Sequence, residues 1–366
     1  MNGHDTPPPS FERSLRITHP TDSITFQCHL LELRPPEEVT SIPTLVLCLH
    51  GAGCASASFS LLMAEMRAIH SSNSNHPGIM SQHFILAAYD LRGHGSSSST
   101  SSTSSTSASA TSDEQQPDLS LSTLISDTLI VINALTAAVV IDCENSLQPP
   151  NVVLVGHSLG GAIAVRVAAA AATMAVPVRV LGVVPIDIVE GSAIASLPML
   201  LPMLDARPSS FKNIEEAIKW TLEARMINNP SSALHSVPPM LKLAENGMEY
   251  IWRTNLSATS IYWNEYYTGL SQDFLSLPCP KLLILAHTDR LDKTLLIGQM
   301  SGKFQLEIIQ SAGHSVHEDN PKQTAERLFN FLVRAGCGSS SLNLSAKLIT
   351  SKQPTFDRNS TFAKKS

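Results

Sequence analysis

Charge is scarce in this 366-residue chain: Asp, Glu, Lys and Arg together make up 15% of it, against about 25% in an ordinary soluble domain. Aromatic residues are few as well, at 5%. Basic residues do not predominate, since 25 Lys and Arg face 31 Asp and Glu for a formal net charge of −6. That balance argues against a nucleic-acid-binding protein, which needs a basic face. The six cysteines, at 28, 48, 54, 143, 279 and 337, form no Cys-x-x-Cys pair and have no histidine spacing suited to zinc. No metal and no cofactor are expected. Two cysteines fall in predicted buried strands, which fits free thiols in a reducing compartment. A signal peptide's apolar core is missing from the N-terminus. The most apolar stretch, 159–186, is interrupted by Arg166, Pro177 and Arg179, so no membrane-spanning helix is expected. These absences point to a soluble protein of the cytoplasm, with the nucleus as a second location.

What is present is 43% apolar residues in an alternating arrangement. β-Branched, apolar runs at 23–32, 44–49, 83–89, 151–155, 178–186, 281–286 and 304–309 read as strands. Helical patterns lie between several of them. Leu121, Leu124, Ile125, Leu129, Ile132 and Leu135 fall on one helical face. An Ala-rich helix follows Ser158, and another begins at Pro321. Strand–helix alternation with continuously apolar strands predicts an α/β domain over 13–336, a mostly parallel sheet flanked by helices. Residues 192–270 carry no good strand and include a helical face at Phe211, Ile214, Ile218 and Leu222. They are expected to form a helical lid over the carboxyl ends of the strands, where ligands of open α/β sheets bind. Residues 1–12, a Ser-rich loop at 96–116 and a basic tail at 337–366 are expected to be disordered. Within the loop, 96–112 holds only Ser, Thr and Ala, too little apolar surface to offset the entropy of ordering it.

The strongest chemical signal is Gly156-His157-Ser158-Leu159-Gly160, placed between a predicted strand and a helix. This is the setting of a nucleophile elbow, whose sharp turn lifts the serine hydroxyl above the sheet. His50-Gly51-Ala52-Gly53 ends the strand 44–49. Backbone amides of Ala52 and Leu159 are the expected donors of an oxyanion hole. Asp90-Leu91-Arg92-Gly93-His94-Gly95 reads as a structural turn. A serine hydroxyl needs a base, and His314, after the flexible Gly313 and the last strand, is the better candidate. His317 reads as structural. Two carboxylates could orient the base: Asp187 after strand 178–186, or Asp289 after strand 281–286. Spacing alone slightly favours Asp289, although Arg290 and Lys293 beside it offer a salt bridge instead.

Longer stretches carry a resemblance. GHSLGGAIAVRVA, IDIVEGSAI, RPSSFKNIEEAIKWTLE and LAHTDRLDKTLLIGQMSGKFQLEIIQSAGHSVHEDNP are similar to the protein phosphatase methylesterases, a family with the α/β-hydrolase fold. The resemblance spans about 40–95 and 119–335. It implies a serine carboxylesterase that removes the methyl ester from the C-terminal leucine of the protein phosphatase 2A catalytic subunit. By position it makes Ser158 the nucleophile, His314 the base and Asp187 the acid, against the preference from spacing. The expected partner is that subunit, with no nucleic acid or membrane, and the chain is expected to be a monomer. The Ser-rich tract is one departure, and the absence near Val237–Met248 of an acidic insertion that some members carry is another. Two other readings compete: a small-molecule esterase or lipase sharing only the elbow, and a non-catalytic hydrolase fold used for binding.

Overall fold

The chain enters as an antiparallel hairpin. β1 (Arg13–Thr18) mixes exposed and half-buried residues and pairs along its length with the buried β2 (Ile24–Leu33). It is too polar for its pattern alone to announce a strand. β3 (Thr44–Leu49), β4 (Phe84–Tyr89), β6 (Asn151–His157) and β7 (Arg179–Ile186) follow, with a two-residue β5 (Ser98–Ser99) after β4. The computed structural model describes residues 10–35, 43–72, 82–99, 117–141, 151–173 and 178–336.

After β7 come three very short strands, β8 (Ser210–Phe211), β9 (Leu241–Leu243) and β10 (Tyr250–Trp252), and the chain then returns to the main sheet as β11 (Leu282–Leu285) and β12 (Gln305–Ile308). The main sheet runs β1-β2-β4-β3-β6-β7-β11-β12, with β5 paired to β2. From β4 to β12 every neighbouring pair is parallel.

Helices cover both faces. α1 (Ser60–Ser72), α2 (Leu121–Ile141) and α3 (Leu159–Ala171) precede the insertion. Within it lie α4 (Glu190–Asp205), α5 (Ile214–Glu223), α6 (Pro230–Ser236), α7 (Trp263–Tyr267) and α8 (Leu270–Ser276). α9 (Lys293–Met300), α10 (Val316–Asp319) and α11 (Pro321–Arg334) complete the fold. β3 shows why its TLVLCL run is apolar throughout. Leu45, Leu47 and Leu49 enter the core under α2 and α3, while Val46 and Cys48 enter the opposite core under α1 and α11.

α2 is the one described helix long and apolar enough to cross a membrane, over Leu121–Ala138. Half of that window is buried, and it holds the buried Asp127, which takes two hydrogen bonds from Arg92, at 2.8 and 2.7 Å. This is the packing of a core helix.

Three expectations need correction. The insertion is not purely helical: β8, β10 and β9 form a small antiparallel sheet. Strands of two or three residues are too short to show alternation. Phe211, expected on a helix, lies in β8, and α5 starts later, where Asn213 caps it by accepting from the Glu216 N–H at 2.8 Å. The Ser-rich tract begins in order. Ser96 donates its N–H to Asp90, Ser97 accepts from the Gln27 N–H, and Ser98–Ser99 pair with Ile24 and Thr25. At the N-terminus, Phe11 is buried in the core and the Glu12 N–H donates to the Leu30 carbonyl at 2.7 Å. The rest of the expected disorder, at 1–9, 100–116 and 337–366, lies outside the described residues.

Arg92 reaches Asp127 from the turn after β4, so one buried ion pair ties that turn to α2. Replacing Asp127 with Ala leaves Asp22 as the remaining carboxylate on the guanidinium, and the urea midpoint is expected to show a loss of about 2 kcal/mol, the scale of charge-assisted hydrogen bonds.

Candidate active site

Gly156-His157-Ser158 ends β6, and α3 starts at the next residue. Ser158 holds φ 51° and ψ −120°, a backbone that side chains adopt at a cost of about 1–3 kcal/mol. The turn closes only because its neighbours lack side chains. A Cβ on Gly156 would lie 2.1 Å from the Gly160 carbonyl oxygen, and one on Gly160 would lie 2.1 Å from that of Leu49. β7, which pairs with β6, accepts the Ser158 N–H through the Ile186 carbonyl at 3.0 Å.

The next residue along β7 is Asp187, also at positive φ, 51°. Its side chain is fully buried. Oδ1 accepts the Ala286 N–H at 3.1 Å, and Oδ2 accepts His314 Nδ1–H at 2.7 Å. Arg290 pairs with the same Oδ2. The two carboxylates left open by spacing are thereby separated in space. Asp187 meets His314, while Asp289 lies exposed in the turn after β11 and forms no ion pair among the described residues. Arg290, expected to neutralise Asp289, neutralises Asp187 instead. His314 keeps its ring about half exposed, 49%, at the mouth of the site.

Gly51 packs against the elbow, the position of its missing Cβ lying 3.4 Å from Ser158 Cβ. The loop 50–53 is held by two neutral histidines. His50 donates from Nδ1 to the Gly51 carbonyl and accepts the Leu91 N–H at Nε2. His94 donates from Nδ1 to the Arg92 carbonyl and accepts the Gly53 N–H at Nε2, 3.0 Å. Burial pushes His50 down to about 4 and His94 down to about 3, so both remain neutral hydrogen-bond bridges. The amide N–H groups of Ala52 and Leu159 make no hydrogen bond among the described residues. An oxyanion hole needs donors left free in this way.

Three participants were not visible in the sequence. His157 donates from Nε2 to the His314 carbonyl at 3.0 Å, holding the His314 backbone beside the elbow. Tyr267, on α7, lies beside the Ser158 side chain, and burial pushes its phenol up to about 12. Arg290 is the third. No motif announces these roles, because each depends on a contact across at least 100 residues of chain. His317 is fully buried between Phe59 and His157, with burial pushing it down to about 3. Among the described residues no group of three or more His, Cys, Asp or Glu is arranged to hold a metal. The arrangement of a strained serine, a half-exposed histidine on a buried carboxylate and two free amides suits acyl transfer.

Over residues 46–327 the chain matches the alpha/beta hydrolase family. Protein phosphatase methylesterase 1 of Schizosaccharomyces pombe is 39% identical over 290 residues, covering 79% of this chain and 74% of that protein. The protein of the same name from Cryptococcus neoformans is 36% identical over 313 residues, covering 82% and 67% respectively. The chain belongs to the protein phosphatase methylesterase family. Solved structures agree on the fold. A peroxisomal α/β-hydrolase of Saccharomyces cerevisiae superposes with a TM-score of 0.61 at 13% identity, covering 93% of this chain and 95% of its own. E-2-(Acetamidomethylene)succinate hydrolase superposes at 0.59 with 19% identity, covering 87% and 98%.

The two stretches most specific to the methylesterase resemblance, IDIVEGSA and DRLDKTLLIGQMSGKFQ, meet in the fold. Asp187 pairs with Arg290, and the Gly191 N–H donates to Asp292 Oδ2 at 3.3 Å. Glu190 accepts the N–H groups of Gly269 and Ser271, and Ser271 Oγ donates to Asp292 at 2.6 Å. The two ends of the insertion are thus clamped to each other and to the start of α9.

Two outcomes follow from this geometry. Asp187→Asn is expected to lower kcat for a p-nitrophenyl ester by about 10⁴-fold, the scale set by losing a triad acid; Asp289→Asn is expected to stay within a few-fold of wild type. The second outcome concerns Glu318, whose carboxyl burial pushes up to about 7 despite the hydrogen bond from Ser232. Between pH 4.5 and about 7 the folded carboxyl keeps a proton that the unfolded chain releases, so this group's contribution falls as pH rises. Glu318→Gln removes that penalty. Its stability relative to wild type is expected to improve by about 3 kcal/mol between pH 4.5 and pH 8, read from denaturant midpoints. The buried histidines titrate alike in both proteins and cancel from the difference.

Proposed function

We propose that this protein is a serine carboxylesterase that demethylates the C-terminal leucine of the protein phosphatase 2A catalytic subunit. The observation that carries the reading is the His314–Asp187 hydrogen bond beside the strand end that accepts the N–H of the strained Ser158, in a chain of the methylesterase family. His314 takes the Ser158 proton as the oxygen attacks the ester carbonyl. Asp187 holds the imidazole by Nδ1 and stabilises its charge. The amides of Ala52 and Leu159 bind the oxyanion, and His314 returns the proton to methanol as it leaves. Water activated by His314 then releases the leucine carboxylate. Methanol offers almost no surface to bind, so recognition falls on the acyl side of the ester, a peptide tail beneath the insertion, and on contact with the phosphatase itself. The free thiols of the buried Cys28 and Cys48 fit a cytoplasmic location.

The test is loss of the methyl ester from purified methylated phosphatase, followed with an antibody to the methylated tail. Wild type is expected to demethylate it and Ser158→Ala to be inert. Rapid hydrolysis of small esters with the phosphatase untouched would instead favour a small-molecule esterase.

A further inference from the structure

Three arginines of the insertion form no ion pair among the described residues: Arg225 is exposed, Arg253 donates to the Pro239 and Leu241 carbonyls, and Arg207 lies against an aromatic ring. Arg207 follows α4, and its guanidinium carbon sits 3.7 Å from the centroid of the Trp252 ring. It forms no ion pair among the described residues, and its Nε is buried without a hydrogen-bond partner. Other arginines of the fold are matched: Arg92 to Asp127, Arg166 to Asp273, Arg290 to Asp187 and Arg327 to Glu307. The platform under Arg207 is rigid. Trp252 donates Nε1–H to the Pro208 carbonyl at 2.8 Å, and Phe211 and Trp220 pack edgewise against it.

This platform borders the active site. Cys54, within electrostatic range of Arg207, packs against the same aromatic cluster. It also closes the turn that carries Ala52, its N–H donating to the Gly51 carbonyl at 3.1 Å. Gly51 in turn abuts Ser158. Leu256, four residues beyond Trp252, packs on Gly53 of the same loop. Glu318, within electrostatic range of Cys54, is buried and takes its hydrogen bond from Ser232. Burial lowers the proton affinity of Arg207, the sign of a cation held partly out of water with no counter-charge.

We propose that Arg207 is an anion-binding subsite of the acyl-side cleft, taking the carboxylate side chain of an acidic residue that precedes the esterified leucine. The inference rests on the methylesterase reading, since it assumes a peptide acyl group. Stacking on Trp252 fixes the plane of the guanidinium and leaves its edge free for a two-point contact with a carboxylate. Much of the desolvation cost is already met in the folded enzyme, so the ion pair gains more than one in open water. The subsite selects peptides by charge, whereas the triad acts on any ester it can reach.

The test measures binding, so that it stands apart from turnover. Fluorescein-labelled hexapeptides ending in leucine methyl ester, with a single Asp or Asn scanned through the residues before the leucine, are titrated by anisotropy against Ser158→Ala. One Asp position is expected to bind about tenfold tighter than its Asn counterpart, with the difference shrinking in high salt. Adding Arg207→Gln is expected to erase that preference, while Arg207→Lys keeps part of it. Equal binding of the Asp and Asn series overturns the proposal, as does a preference that survives Arg207→Gln. Labelling of Ser158 by a fluorophosphonate in Arg207→Gln confirms that the site is still folded. Failure to demethylate the phosphatase, with the charge preference intact, would count against the phosphatase reading alone.

Discussion

A single buried carboxylate holds the active end of this fold together. Asp187 has no exposed side-chain surface, and an unpaired charge there would cost several kcal/mol. It is matched from three directions: the Ala286 N–H at the end of β11, Arg290 after it, and His314 after β12. The pairing of β7 with β11 brings these groups within reach, and the Asp187 N–H continues that ladder by donating to the Ile284 carbonyl at 2.8 Å. A slip of one residue would turn Asp187 to the other face of the sheet. Correct register and a correctly oriented base are therefore one requirement.

Buried histidines do similar work without charge. His50 and His94 each bridge backbone groups of neighbouring loops, and His157 donates once, to the His314 carbonyl. An imidazole that stays neutral can donate from one nitrogen and accept at the other, which neither lysine nor a carboxylate can do. Burial enforces that neutrality. The loop carrying Ala52 is thereby positioned from behind, and its outward amide is left for substrate.

The insertion contributes on a different principle. Its small core around Phe211, Val237 and Leu241 is separate from the two cores flanking the sheet. Clamps at Glu190 and Asp292 fix its ends, while Tyr267 and Leu256 reach down to the nucleophile and the oxyanion loop. The hydrolase framework carries Ser158 and the Asp187–His314 pair, and this layer packs against them with a core of its own.

The sequence by itself determined the α/β class, the strand-to-helix turn at Ser158 and the turn that carries His314. Those features rest on local rules, namely apolar runs, glycines two residues from a serine, and a turn after the last strand. Spacing slightly favoured Asp289 over Asp187, since both follow strands and both have cations near them in the chain or the fold, and only the family resemblance chose Asp187. The sequence also passed over β1 and the strands of the small sheet, whose few residues pair only once a neighbour is present. Tertiary structure alone decided that Asp187 faces His314, that Arg290 serves Asp187 and not its own neighbour Asp289, and that Arg207 is left without a counter-ion. Hydrogen bonds and ion pairs between residues far apart in the chain depend on sheet register and helix packing, and no local pattern records them.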